Sequence, residues 1–104
     1  MAFKAVVMYP NEPDATFDNT YYKEKHMPLV ERIWGKYGLT TWHIQKYTTA
    51  LDGTPSKYSI TTTLEWKSED AVQEALKDPE SPLIFQDIPK FTNTQPITLL
   101  GGPL

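Results

Sequence analysis

Residues 17–37 read FDNTYYKEKHMPLVERIWGKY, and their periodicity decides the fold. Asp18 is a good helix N-cap, because its carboxylate can accept from the free amides of the first turn. Phe17 just before it can pack on Tyr22, the arrangement known as a hydrophobic staple. A helix therefore starts at Asp18. At about 100° per residue, Tyr22, Leu29, Val30, Ile33, Trp34 and Tyr37 all fall within roughly 80° of His26, while Glu24, Lys25, Glu31 and Arg32 fall outside. The imidazole belongs to the apolar stripe. Tyr21 lies about 140° from it on the same wheel and reads as an edge or interface contact. Pro28 lacks an N–H for the Glu24 carbonyl and biases Met27 away from helical angles. The stripe nevertheless keeps its phase across Pro28, which falls on the wet side where water can satisfy a freed carbonyl. The expectation is one helix, kinked at Pro28 and bent toward the core.

Working outward, residues 2–9 (AFKAVVMY) form a plausible first strand, and PNEPDAT makes an acidic, proline-punctuated loop into the helix. After Gly38, residues 39–48 alternate, with Trp42, Ile44 and Lys46 on one side and Thr41, His43, Gln45 and Tyr47 on the other. A turn containing Asp52-Gly53 follows. Tyr58, Ile60, Thr62, Leu64 and Trp66 then alternate with Ser59, Thr61, Thr63 and Glu65. Ser68 caps a short helix with Glu69 and Asp70 at the positive end of its dipole and Val72, Ala75 and Leu76 on its buried face. Pro79 ends that helix, Ser81-Pro82 can open one more turn through Phe85, and residues 95–100 form a last strand. The order β-α-β-β-α-β predicts a ferredoxin-like α+β sandwich, both helices covering one face of a four-stranded antiparallel sheet. The other face carries the polar set, or the apolar set if the sides are reversed. It either stays wet or closes against a second copy, which would also protect strand edges.

The chain of 104 residues suits one domain spanning 1–104, large enough to bury roughly two thirds of its unfolded surface. It contains no cysteine, which excludes disulfides, thiolate nucleophiles and cysteine-ligated metals. Ten basic residues against thirteen acidic ones, for a net charge of −3, make nucleic acid a poor partner, since phosphate binding rests on clustered positive charge. No segment approaches the ~20 apolar residues of a membrane span, and MAFKAVVMYP lacks the long apolar run of a secretory signal. A cytoplasmic protein is the default expectation.

The pattern Phe17, Asp18, Tyr21, Tyr22, His26, Pro28, Leu29, Val30, with the preceding YPNEPDATF and the later TLEW and PKFTNTQP, closely resembles the EthD family, named for ethyl tert-butyl ether degradation. The resemblance covers essentially the whole chain. It implies a dimeric α+β barrel, a homodimer of two ferredoxin-like subunits whose sheets face each other, with a pocket between each sheet and its helices. The superfamily this fold suggests includes cofactor-independent monooxygenases, lactone isomerases, polyketide cyclases and haem enzymes, so the architecture does not choose the reaction.

His26 is the leading candidate for chemistry, with Tyr22 one helical turn before it as hydrogen-bonding partner. Imidazole titrates near physiological pH and could move a proton at a carbon beside a carbonyl or at a leaving hydroxyl. The plain alternative is that His26 only braces helix against sheet. A buried polar group is costly unless satisfied, which favours a working role. Candidate ligand contacts are Trp34, Ile33 and Leu29 on the helix stripe and Trp66 on the third strand. His43 reads as a solvent or interface residue. Two histidines on different elements give no metal-binding spacing, and no metal or cofactor is expected. The reading that results is a cofactor-independent enzyme of catabolic or secondary metabolism. It would act by acid–base chemistry, such as dehydration, isomerisation, cyclisation or oxygenation, on a small apolar carbonyl or phenolic molecule. The rival is an accessory protein that holds a hydrophobic metabolite or haem without catalysis of its own.

Overall fold

A computed structural model describes residues 3–104; Ala2 of the expected first strand lies outside the described residues. Strands β1 (Phe3–Pro10), β2 (Leu39–Lys46), β3 (Tyr58–Trp66) and β4 (Ile97–Gly101) form one sheet in the order β2-β3-β1-β4. Every pairing is antiparallel, which completes the ferredoxin-like arrangement. The last strand starts two residues later and ends one later than residues 95–100. Helix α1 runs over residues 19–37, α2 is Glu69–Leu76, α3 is Ser81–Gln86, and a 3-10 turn covers Ile88–Lys90.

Register decides which side chains meet the helices. Ala5 pairs with Leu64, Val7 with Thr62 and Tyr9 with Ile60, while Trp42 faces Leu64 and Ile44 faces Thr62. These residues share the helix-covered face, where Tyr9, Ile60, Thr62, Leu64 and Trp66 are buried. Thr41, His43, Gln45, Thr61, Thr63 and Glu65 point the other way, as the strand alternation predicts. Toward β1 and β4 that uncovered face turns apolar, because Val6 pairs with Leu99 and Met8 with Ile97. Ile97 and Leu99 are 44% and 58% exposed.

The N-terminal half of α1 follows the sequence closely. The Asp18 carboxylate accepts the Tyr21 amide at 3.0 Å, and the rings of Phe17 and Tyr22 meet edge to face at 5.0 Å. Around Pro28 the outcome differs from a kink at the proline. The chain passes through α-helical Asn19–Tyr21, a π-helical segment Tyr22–His26 in which the Met27 N–H donates to the Tyr22 carbonyl, α-helical Met27–Trp34, and a 3-10 turn Gly35–Tyr37. The turn is widened by one residue just before Pro28. Residues i and i+5 in this stretch come toward one face, so Met27 is 2% exposed although a uniform α-helical wheel leaves it off the stripe. Pro28 stays exposed, and Leu29 is half-buried.

Gly38 closes the helix at φ 110°, and a Cβ built there would meet the Ala71 Cβ at 3.3 Å, so both conformation and space favour glycine. In α2, capped by the Ser68 hydroxyl accepting from the Ala71 amide, Val72 and Ala75 are buried as expected. Leu76 is not: it is 44% exposed. No helix of the described residues is long and apolar enough to cross a membrane.

Candidate functional site

His26 is 4% exposed, and what satisfies it is a carboxylate. Its Nδ1 lies 2.9 Å from Oδ2 of Asp87, in the bend between α3 and the 3-10 turn. The other oxygen of Asp87 accepts the Tyr21 hydroxyl at 2.7 Å and lies 3.6 Å from the Lys90 Nζ. Asp87 is itself 7% exposed. Tyr22 does not bond to His26, contrary to the pairing read from helical spacing. Its ring stacks on the imidazole at 5.3 Å, and its hydroxyl meets the Thr62 Oγ1 on the facing side of β3 at 2.6 Å. Two side chains one helical turn apart lie parallel, so their rings meet while their polar tips reach different partners. Phe91 closes the cluster, its ring 4.6 Å from that of His26 and 4.9 Å from that of Tyr22.

Tyr21 is a further correction. The α-helical wheel turns it away from His26, but the widened turn draws the two residues toward one side and both reach Asp87. Asp87 was not legible as a partner, being remote in sequence and free of any periodic pattern. The one signal it offers is a carboxylate set in the otherwise apolar or uncharged run LIFQDIP.

A cavity of about 320 Å³ opens beside this cluster, at the lower end of the range for ligand pockets, roughly 300–1,000 Å³. Val7, Tyr9, Thr62, Leu64 and Thr98 line it from the sheet, and Tyr22, His26, Met27, Val30 and Trp34 from α1. Ile84, Phe85, Ile88 and Pro89 line it from α3 and the turn, and Gln95 and Pro96 from the loop before β4. Phe85, Pro89 and Gln95 are exposed and mark its open side. Of the ligand contacts expected from sequence, Trp34 lines the cavity, with its indole N–H held by the Ser81 hydroxyl at 2.8 Å. Ile33 and Trp66 pack in the core and Leu29 at its margin, none of them on the cavity wall. His43 is exposed on the uncovered face of β2.

Electrostatics assign the protonation states. Burial lowers the His26 pKa below its ordinary value, and the hydrogen bond and charge of Asp87 only partly offset it. Burial works to raise the Asp87 pKa, but bonds from Tyr21 and His26 and the positive charges of His26 and Lys90 outweigh it, so the carboxyl sits below the usual carboxylate range. The pair is therefore a neutral imidazole beside an anion. The anion accepts the proton of Nδ1 and leaves Nε2 as the basic nitrogen. Burial also holds the phenols of Tyr9 and Tyr22 protonated, far above the working range of a base. Among the described residues no three His, Cys, Asp or Glu side chains gather as a metal site.

No model of a known protein family matches the sequence, and no curated protein matches it. Solved structures do. An EthD-like protein from Ralstonia eutropha JMP134 superposes with a TM-score of 0.85 at 25% identity, covering 96% of this chain and 89% of that one. An EthD family protein from Bacillus halodurans C-125 gives 0.77 at 20% identity, with complete coverage of both chains. A dimeric ferredoxin-like protein of unknown function from Jannaschia sp. CCS1 gives 0.66 at 9% identity, covering 99% of this chain and all of that one. The resemblance carried by the pattern from Phe17 to Val30 thus extends to the whole fold: the chain is similar in structure to EthD-like proteins and has the ferredoxin-like α+β fold.

Proposed function

We propose that this protein is a cofactor-independent enzyme of small-molecule catabolism or secondary metabolism in which His26 moves a proton at a carbonyl-bearing or phenolic substrate. The observation that carries the reading is the Asp87–His26 contact at the edge of the cavity. A carboxylate on Nδ1 fixes the ring and its tautomer and stabilises the imidazolium that forms when Nε2 takes a proton, the arrangement general-base histidines require. A histidine with a purely bracing role needs no anion behind it. The proton comes off a carbon or oxygen of the substrate, the electron pair left behind passes to the adjacent carbonyl or ring, and His26 later returns the proton.

The cavity wall also supports a substrate class. It consists of aliphatic, aromatic, hydroxyl and amide groups, with the Asp87 anion directly behind the imidazole. An anionic substrate would lose its hydration and meet a buried negative charge, so a small, neutral, mostly apolar molecule fits best. Trp34 and Phe85 offer ring surface, and Thr98 and Gln95 offer polar groups to orient it.

The test is proton–deuterium exchange in D2O at the carbon beside the carbonyl of small neutral aryl ketones, followed by NMR. The wild-type protein is expected to accelerate exchange, and His26→Ala to lose about 10²- to 10⁴-fold. Equal exchange by the two proteins contradicts the reading, as does acceleration by neither.

The protein is further proposed to work as a homodimer joined through the uncovered sheet face. What supports this is the apolar strip of Val6, Met8, Ile97 and Leu99 on that face and the dimeric ferredoxin-like protein of the same fold.

A further inference from the structure

Tyr21 and Lys90 stand behind the site rather than in it. Neither lines the cavity, yet both converge on one oxygen of Asp87, the Tyr21 hydroxyl at 2.7 Å and the Lys90 ammonium at 3.6 Å. They come from different elements, Tyr21 from the first turn of α1 and Lys90 from the 3-10 turn. A carboxylate that is 7% exposed is costly unless its oxygens are bonded, and one free to rotate about its Cβ–Cγ bond would lose the imidazole. With Oδ1 occupied by the hydroxyl and facing the ammonium, the carboxylate plane is set and Oδ2 is left for His26.

We propose that Tyr21 and Lys90 are positioning residues for His26: through Oδ1 of Asp87 they hold the carboxylate anionic and aimed at Nδ1, so that Nε2 stays the free nitrogen on the cavity side. For its consequence in turnover this inference rests on the acid–base reading of His26; its geometry belongs to the ligand-free protein. The groups that face His26 are Asp87 with Lys90 behind it, the uncharged Phe91, and the Tyr22 phenol stacked from its own helix.

The sign follows from the aim of the carboxylate. Without the Tyr21 hydroxyl or the Lys90 ammonium at Oδ1, the carboxylate turns from Nδ1 and stabilises the imidazolium less. NMR titration of the His26 ring in the ligand-free protein reads this directly. Tyr21→Phe is expected to move the titration downward by about half a pH unit or more. Lys90→Met should move it in the same direction, and Asp87→Asn further. Lys90 is an exposed side chain, so its variant reports even if Tyr21→Phe proves unstable.

His26 titrations of Tyr21→Phe and Lys90→Met that both stay within about 0.2 pH unit of the wild type, or move upward, overturn the proposal: an undisturbed carboxylate leaves the titration in place, and one that only gains charge raises it. The two claims separate cleanly. Titrations that move as stated while His26→Ala retains wild-type ketone exchange keep the positioning role and remove the catalytic one. Unmoved titrations remove the positioning role whatever the exchange shows.

Discussion

At the scale of residues, His26 makes stability depend on pH in a predictable direction. Its pKa lies below the ordinary value of 6.5 in the folded protein, so between those two values the unfolded chain binds more protons than the folded one. Stability therefore falls as the pH drops through about 6.5 and goes on falling until the folded-state pKa is reached. Thermal melts of the wild type across this range should show the decline, and His26→Gln should flatten it; parallel profiles would mean that another group titrates. Thr62→Val gives a second residue-scale test, since it removes the hydroxyl that meets the buried Tyr22 hydroxyl at 2.6 Å. A loss of about 1–3 kcal/mol in denaturant unfolding is expected. Phe91, 3% exposed and in ring contact with Tyr9, Phe17, Tyr22 and His26, should cost about 3–5 kcal/mol on truncation to alanine.

At the scale of elements, the N-cap, the staple and the apolar stripe of α1 were readable because they depend on neighbours in sequence. The same is true of β3, whose strict alternation fixes which residues face the helices. The π-helical segment was not readable, because an i to i+5 turn shows no signal in a pattern scored at a uniform helical period. That one extra residue explains both the burial of Met27 and the reach of Tyr21 toward Asp87. Asp87 is illegible for a different reason: its role arises from a bend after α3 that packs against α1, a long-range contact with no local trace. The stripe shows the direction of Tyr22 but not its partner, since helical spacing brings rings together and says nothing of where a hydroxyl on the sheet will lie. The junction after α1 supplies the test at this scale. Gly38→Ala forces a side chain into φ 110° and against Ala71 at 3.3 Å, so unfolding should cost about 1–2 kcal/mol less free energy than in the wild type.

At the scale of the whole molecule, the sheet divides its two faces between two tasks. One face carries the core and the cavity that reaches His26. The other pairs a polar half, from Thr41 to Gln45 and Thr61 to Glu65, with an apolar strip along β1 and β4. An exposed apolar strip beside polar ladders is the usual look of a surface that meets another protein. Leu99→Glu, placed in that strip and far from the cavity wall, should convert a dimer to a monomer in sedimentation velocity while leaving the His26 titration unchanged. A wild-type protein that sediments as a monomer would remove the dimer from the account. The central claim is narrower than any of these: His26 is a neutral base whose Nε2 is open to the cavity. The ¹⁵N NMR spectrum of the His26 ring near pH 7 measures it most directly. A neutral ring with its proton on Nδ1 is expected; a proton on Nε2, or an imidazolium at that pH, would show that His26 is not such a base.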